Sequence, residues 1–197
     1  MEHSSLQAKT LLGGFEAPAI QSAHAFRGIM QAMARPGKIF DIEGAEPPAP
    51  LSAAAGCVLL TLCDTDTPVY LAGAADTPAI RAWLAFHTGA PLVGRSECMF
   101  ALGSWRDLAP LSSYPIGTSQ YPDRSATLIV ESAELTPNGP MLTGPGIKDS
   151  AQLSLPDIAA FQDNHALFPL GLDFIFTCAN RLAALPRTTE VSECMSQ

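Results

Sequence analysis

Four residues towards the carboxyl end, His165, Asp173, Arg187 and Thr188, are the ones best placed to do chemistry. They fall in Asn-His-Ala-Leu-Phe-Pro-Leu-Gly-Leu-Asp (164–173) and Pro-Arg-Thr-Thr-Glu-Val (186–191), polar segments that bracket apolar runs. Loops at the ends of buried elements would therefore present them on a rigid scaffold. An imidazole at 165, with Asp163 nearby, can act as a base or order its loop. An arginine beside two threonine hydroxyls can take a phosphate or carboxylate in its planar fork, or bond its own chain terminus. These four are candidates for ligand or interface contacts, and no residue is assigned a catalytic role.

Three other constellations compete. Asp64-Thr-Asp66-Thr-Pro68 follows the apolar run Cys57–Leu62. A phosphotransferase could use the first aspartate as nucleophile and the second as general acid or base. Such a site needs a lysine and a later acidic pair for Mg²⁺. Lys148 is the only downstream lysine, and no acidic pair follows near an apolar run. Two aspartates, two threonines and a proline before Val69 read better as a hairpin turn. Leu142-Thr-Gly-Pro-Gly-Ile147 suggests a phosphate cradle but lacks Gly-Lys-Ser/Thr, and Pro145 removes a backbone donor. Lys148 could carry pyridoxal phosphate as a Schiff base, but its sequence neighbours offer no phosphate cup. His3, His24, His87 and His165 share no metal spacing. Neither a metal nor a cofactor is expected.

The elements that must position these residues are bounded by composition. At 197 residues the chain is read as one domain, with an arm over about 1–12 and a tail over about 190–197 loosely ordered. Hydrophobic residues make up 47% and charged residues only 15%, against roughly a quarter charged in a typical lone domain. So charge-poor a surface implies contact with another chain, and a homodimer is expected. Net charge is −8, and the three lysines (9, 38, 148) are scattered. That argues against nonspecific nucleic-acid binding and against anionic membranes. No signal peptide or apolar span is visible, so a cytoplasmic location is expected. Five cysteines without Cys-x-x-Cys read as reduced thiols, with 57, 63 and 178 expected to be buried inside apolar runs.

Along the chain, a helix is expected over about 22–34 with Phe26, Ile29, Met30 and Met33 on one face, stopped by Pro36-Gly37. Cys57–Leu62 shows no alternation and reads as a strand buried on both faces. Short strands are expected at Val69–Ala72, Met99–Leu102 and Ala126–Glu131. Thr77-Pro78 starts a helix to about Phe86, with Ala79, Trp83 and Phe86 on a face. Ser104-Trp-Arg-Asp107 is a capping box. Pro156–Phe161 is helical, and Leu172–Cys178 with Leu182–Leu185 form an antiparallel hairpin. Interleaved strands and helices point to a three-layer α/β/α sandwich with a mixed sheet.

The order and spacing of several segments resemble one family. They are Phe26-Arg27 through Met33, Ala34, Pro36 and Gly37; Val58–Leu62 with Asp64, Asp66, Thr67 and Pro68; Phe86-His87-Thr88 with Ala90–Val93; Ala126–Ile129; Leu142-Thr143-Gly144 with Gly146-Ile147; Phe168–Gly171 with Asp173; and Pro186–Thr189 with Val191. The chain is similar to the PhnH subunit family of the carbon–phosphorus lyase system. The resemblance implies a fold like that of pyridoxal-phosphate-dependent transferases, reduced and without the cofactor lysine. It implies a homodimer within a larger assembly of PhnG-, PhnI- and PhnJ-like subunits. That assembly attaches a phosphonate to the ribose C1 of ATP, displacing adenine, and a radical iron–sulfur step on another subunit follows. It carries over no catalytic residue. The readings left beside it are a stand-alone hydrolase using Asp64 and Asp66, and a pyridoxal-phosphate enzyme using Lys148.

Overall fold

The computed structural model describes residues 12–193; His3, Lys9, Cys194 and all but the last residue of the expected arm lie outside that range. A mixed six-stranded sheet runs in the order β1-β8-β7-β4-β3-β2. Its strands are β1 (Phe40–Asp41), β2 (Val69–Leu71), β3 (Phe100–Ser104), β4 (Thr127–Glu131), β7 (Asp173–Cys178) and β8 (Arg181–Leu185). The strands β2, β3, β4 and β7 are parallel neighbours, and β8 turns back antiparallel on β7. A second sheet, β6-β5-β9, joins Ala151–Gln152, Met141–Thr143 and Glu190–Ser192.

Both faces of the central sheet are apolar, so its strands read as continuous apolar runs. Alternate residues separate into two cores. Leu102, Ile129, Ile175, Leu182 and Ala184 face helices α1 (Pro18–Ala34), α2 (Ala53–Leu62) and α3 (Pro78–His87). Leu128, Val130, Phe174, Phe176 and Leu185 face α4 (Trp105–Leu108), α5 (Ile158–His165) and the small sheet. The expected α/β fold with a mixed sheet is thus what the chain forms, with helices on one face and, on the other, helices together with a small second sheet that the sequence did not announce.

Caps set several boundaries as read. Thr77 accepts the Ile80 N–H at 3.2 Å, and Ser104 accepts the Asp107 N–H at 3.3 Å. The β7–β8 hairpin closes on Ala179 at φ 54 and Asn180. An aromatic cluster pins α5 to the sheet. The Phe161 ring stands perpendicular to Phe174 at 5.0 Å and lies 4.9 Å from Trp105.

Four readings are corrected. Residues 57–62 belong to helix α2, not to a strand. A run apolar on every side suits a wholly buried helix equally well. The deciding signal lies upstream, where Ser52 accepts the Ala55 N–H at 3.1 Å and Ala53–Ala55 favours the helix. On α1 the inward stripe is Ala25, Ile29 and Ala32 with Met33 packed against it, while Phe26 and Met30 are 48% and 54% exposed. Alanines make most of that helix apolar, and periodicity alone does not separate two overlapping stripes. On α3 the buried face is Ile80, Trp83 and Leu84, and Phe86 points outward. Finally, residues 190–192 are not a loose tail. They are β9, paired with β5 and holding buried Val191.

Candidate functional site

Three of the four carboxyl-terminal candidates meet directly. Asp157 caps α5 by accepting the Ala160 N–H at 3.1 Å, and the helix ends at His165. The following loop is closed by buried Asn164, which donates to Leu172 O at 2.9 Å and accepts the Leu172 N–H at 2.8 Å. Asp173 then opens β7. Because β8 is antiparallel, Leu185 lies opposite Phe174, and the chain emerging from β8 brings Arg187 over Asp173. Asp173 Oδ1 accepts the Arg187 backbone N–H at 2.9 Å and its Nε–H at 3.2 Å. Asp173 Oδ2 accepts from Nη2 at 2.5 Å. Arg187 Nη1 donates to Pro122 O at 2.8 Å, and Nη2 also reaches Ser125 Oγ. His165 Nδ1 lies 3.0 Å from Arg187 O; a carbonyl only accepts, so Nδ1 carries the hydrogen. Thr188 does not join this network. It is half-buried, and its carbonyl packs against Gly144, where a Cβ would come within 3.0 Å.

This arrangement is a tie. The Arg187 fork that would take an anionic ligand is filled by Asp173, Pro122 and Ser125. Asp173 and Arg187 side chains are only 18% and 11% exposed, so the pair is largely desolvated. It joins the loop before β4, the start of β7 and the exit of β8. These all lie at the amino edge of the parallel strands. Open parallel sheets usually place ligands at the opposite, carboxyl edge.

The remaining sequence candidates stay separate. Asp64 Oδ1 accepts the Asp66 N–H at 2.9 Å and the Thr67 hydroxyl at 2.6 Å. Those bonds, the hydroxyl first, hold its carboxyl below the usual range. The segment is a turn, but it joins α2 to β2 and not two strands. It sits ahead of a strand, at the sheet's amino edge, whereas a phosphotransferase nucleophile needs the carboxyl end. Lys148 is exposed in the turn after β5, in a pocket without an aromatic ring to cover a pyridine. Cys57, Cys63 and Cys98 are free and buried, and burial pushes their thiols up to about 11, 12 and 11. Among the described residues no three His, Cys, Asp or Glu side chains gather as metal ligands.

Two features escaped the sequence. At the carboxyl edge, Glu131 ends β4 and caps α2. Its Oε1 accepts the Ser52 N–H at 2.7 Å, and its Oε2 accepts the Thr177 hydroxyl at 3.1 Å. Desolvation raises its pKa, and the Ser52 and Thr177 bonds do not offset this. A charged residue closing an apolar strand was the available signal. The second is an apolar groove of about 440 Å³ between α5 and the 105–116 segment, lined by Trp105, Leu111, Ile116, Leu167 and Leu172 with Asp157 and Asp163. Its residues come from distant segments, so no local pattern announces it.

Comparison with known proteins agrees with the resemblance. The family described as bacterial phosphonate metabolism protein (PhnH) matches residues 13–192. The chain is 40% identical over 196 residues to the alpha-D-ribose 1-methylphosphonate 5-triphosphate synthase subunit PhnH of Rhizobium meliloti (strain 1021), covering 94% of this chain and 97% of that one. It is 28% identical to the putative C-P lyase subunit protein HtxG of Stutzerimonas stutzeri, over 90% of this chain and 88% of the other. A match along nearly the whole described length, together with a close full-length relative, means that the chain belongs to the PhnH family of bacterial phosphonate metabolism proteins.

Proposed function

We propose that this chain is a subunit of a carbon–phosphorus lyase core complex, acting with PhnG-, PhnI- and PhnJ-like subunits to couple a phosphonate to the ribose C1 of ATP with displacement of adenine. The observation that carries the reading is end-to-end similarity to a named synthase subunit. The site geometry supports it. Asp173 and Arg187 are committed to each other, and Asp64 is committed to its turn. None forms a nucleophile–base pair, which suits a member of an assembly better than the stand-alone hydrolase. His165, Asp173, Arg187 and Thr188 then shape a loop region for contact with ligand or partner.

The same proposal includes a homodimer, supported by the exposed Ile20, Phe26 and Met30 of α1. It includes a cytoplasmic location, which the free buried thiols suit; no described helix is long and apolar enough to cross a membrane. It also includes a fold kinship with pyridoxal-phosphate transferases lacking the cofactor lysine, which the parallel centre with antiparallel β8 fits.

The test is a tagged chain expressed in phosphate-starved cells whose own copy is deleted. The expected result is restored growth on a phosphonate and copurification of the other subunits. Growth without the chain, or its recovery free of partners, refutes the reading.

A further inference from the structure

Two lysines lie among the described residues, Lys38 and Lys148, and though far apart in sequence they line the same pocket. It holds about 260 Å³ and is lined by Arg35, Lys38, Gly146, Lys148, Asp149 and Ser150, among others. One wall is the turn that ends α1, where Lys38 N–H donates to Arg35 O at 3.2 Å. The other is the turn after β5, where Ile147 N–H donates to Gly144 O at 3.2 Å. Gly146, at φ +82, presses against the Ala34 carbonyl, and a Cβ there would overlap it. A glycine therefore lets the two cation-bearing turns close on each other.

These cations make no ion pair among the described residues. The ion pairs among the described residues are Arg81–Asp76 and Arg187–Asp173. Arg35 has only a long contact, 3.4 Å, to Gln31 Oε1. Three cations thus face one carboxylate, Asp149, in a chain of net charge −8. The carbonyl end of α1 accounts for Arg35 and Lys38, since cations favour that end of a helix dipole. It does not account for Lys148, which arrives from the second sheet. Cations that line one pocket and make no ion pair there leave it net positive, which favours an anion between them.

We propose that this pocket binds a phosphate-type anion, either a free oligophosphate or the phosphate chain of a nucleotide. Its volume lies below the roughly 300 Å³ at which pockets for drug-sized ligands begin. The phosphate groups enter, and anything attached to them stays outside. The two ammonium groups and the guanidinium supply charge-assisted hydrogen bonds, and the Ser150 hydroxyl supplies a further donor. The inference stands on the pocket and does not need the subunit reading.

Calorimetric titration of the isolated full chain with tripolyphosphate, and separately with ATP, tests it. Saturable binding that weakens with added salt is expected. Lys38→Ala with Lys148→Ala should weaken it about tenfold or more, Lys148→Glu should also weaken it, and Lys148→Arg should keep most of it. Arg81→Ala with Arg106→Ala removes two charges elsewhere and should leave binding intact. Binding of both ligands identifies a phosphate chain with a tolerated nucleoside; binding of tripolyphosphate alone identifies free oligophosphate. Both lysines are exposed, so the melting temperature should hold in the variants. No binding of either ligand, equal loss in the arginine control, or undiminished binding in the lysine variants overturns the proposal.

Discussion

Asp173 grips Arg187 through side chain and backbone together. Its Oδ2 lies 2.5 Å from Nη2, while its Oδ1 takes the backbone N–H at 2.9 Å. The same arginine reaches Pro122 O and Ser125 Oγ, so one side chain fastens three segments at the amino edge of the sheet.

Arg187→Ala should therefore cost about 3–5 kcal/mol, as expected when one member of a desolvated charge pair is removed. A solvated pair would cost at most about 1 kcal/mol. Arg187→Lys should recover only part, because an ammonium cannot make the planar fork. Urea unfolding of Arg187→Ala, Asp173→Asn and the double variant measures the coupling. Independent, additive losses would mean the pair is not a unit.

Glu131 gives a pH dependence of definite sign. Its folded-state pKa is raised by desolvation, so the folded chain keeps this proton after the unfolded chain has lost its own. The group's contribution is fully present below the ordinary glutamate range and is lost as pH rises through the raised folded value. Glu131→Gln can still accept from Ser52. Its stability relative to the native chain should rise with pH from about 4 upward. Parallel stability curves for the two proteins would contradict this.

Legibility followed the range of the signal. The capping of α3 by Thr77, the Ser104–Asp107 box and the β7–β8 hairpin depend on a few adjacent residues and could be read directly. The α2 helix could not be read from 57–62 alone, because an all-apolar run carries no period. Which side of α1 is buried depends on α2 and β8, and periodicity within the helix, which favours Phe26 and Met30, does not contain that information. At the site, the residue types at 165, 173 and 187 were visible, but their meeting depends on β8 lying antiparallel to β7. Glu131 with Ser52, and Lys38 with Lys148, are pairings that only the tertiary fold creates.

Asp64 and Asp66 should prove structural. Asp64→Asn weakens the acceptor that holds the Asp66 N–H and the Thr67 hydroxyl, so a small drop in melting temperature is expected. Asp66→Asn should change less. Both variants should support growth on a phosphonate and assemble normally. Loss of growth with assembly intact would make the carboxylates chemical groups.

The thiols should differ sharply in reactivity. Thiolate is the reactive form, and burial holds Cys57, Cys63 and Cys98 protonated. Cys178, expected to be buried, is instead partly exposed where β7 ends, 3.5 Å from Ala133 O. Alkylation of the native chain, read by mass spectrometry, should modify Cys178 well before those three. Early labelling of Cys63 would show that α2 opens readily.

The exposed side of α1 offers the most direct test of self-association. Ile20, Phe26 and Met30 are 62%, 48% and 54% exposed on a helix whose other side is already packed against α2 and β8. Burying large apolar side chains between two copies would contribute about 25 cal/mol per Å² removed from water, and a stable interface takes roughly 800 Å² from each partner. The isolated chain should be a homodimer at micromolar concentration. Phe26→Glu with Met30→Glu should shift it towards monomer without unfolding it, since neither side chain is in a core, and the melting temperature should fall only by what the lost association contributed. Light scattering across a dilution series measures both. A monomeric native chain would remove the homodimer, and a dimer indifferent to both substitutions would move the interface off α1.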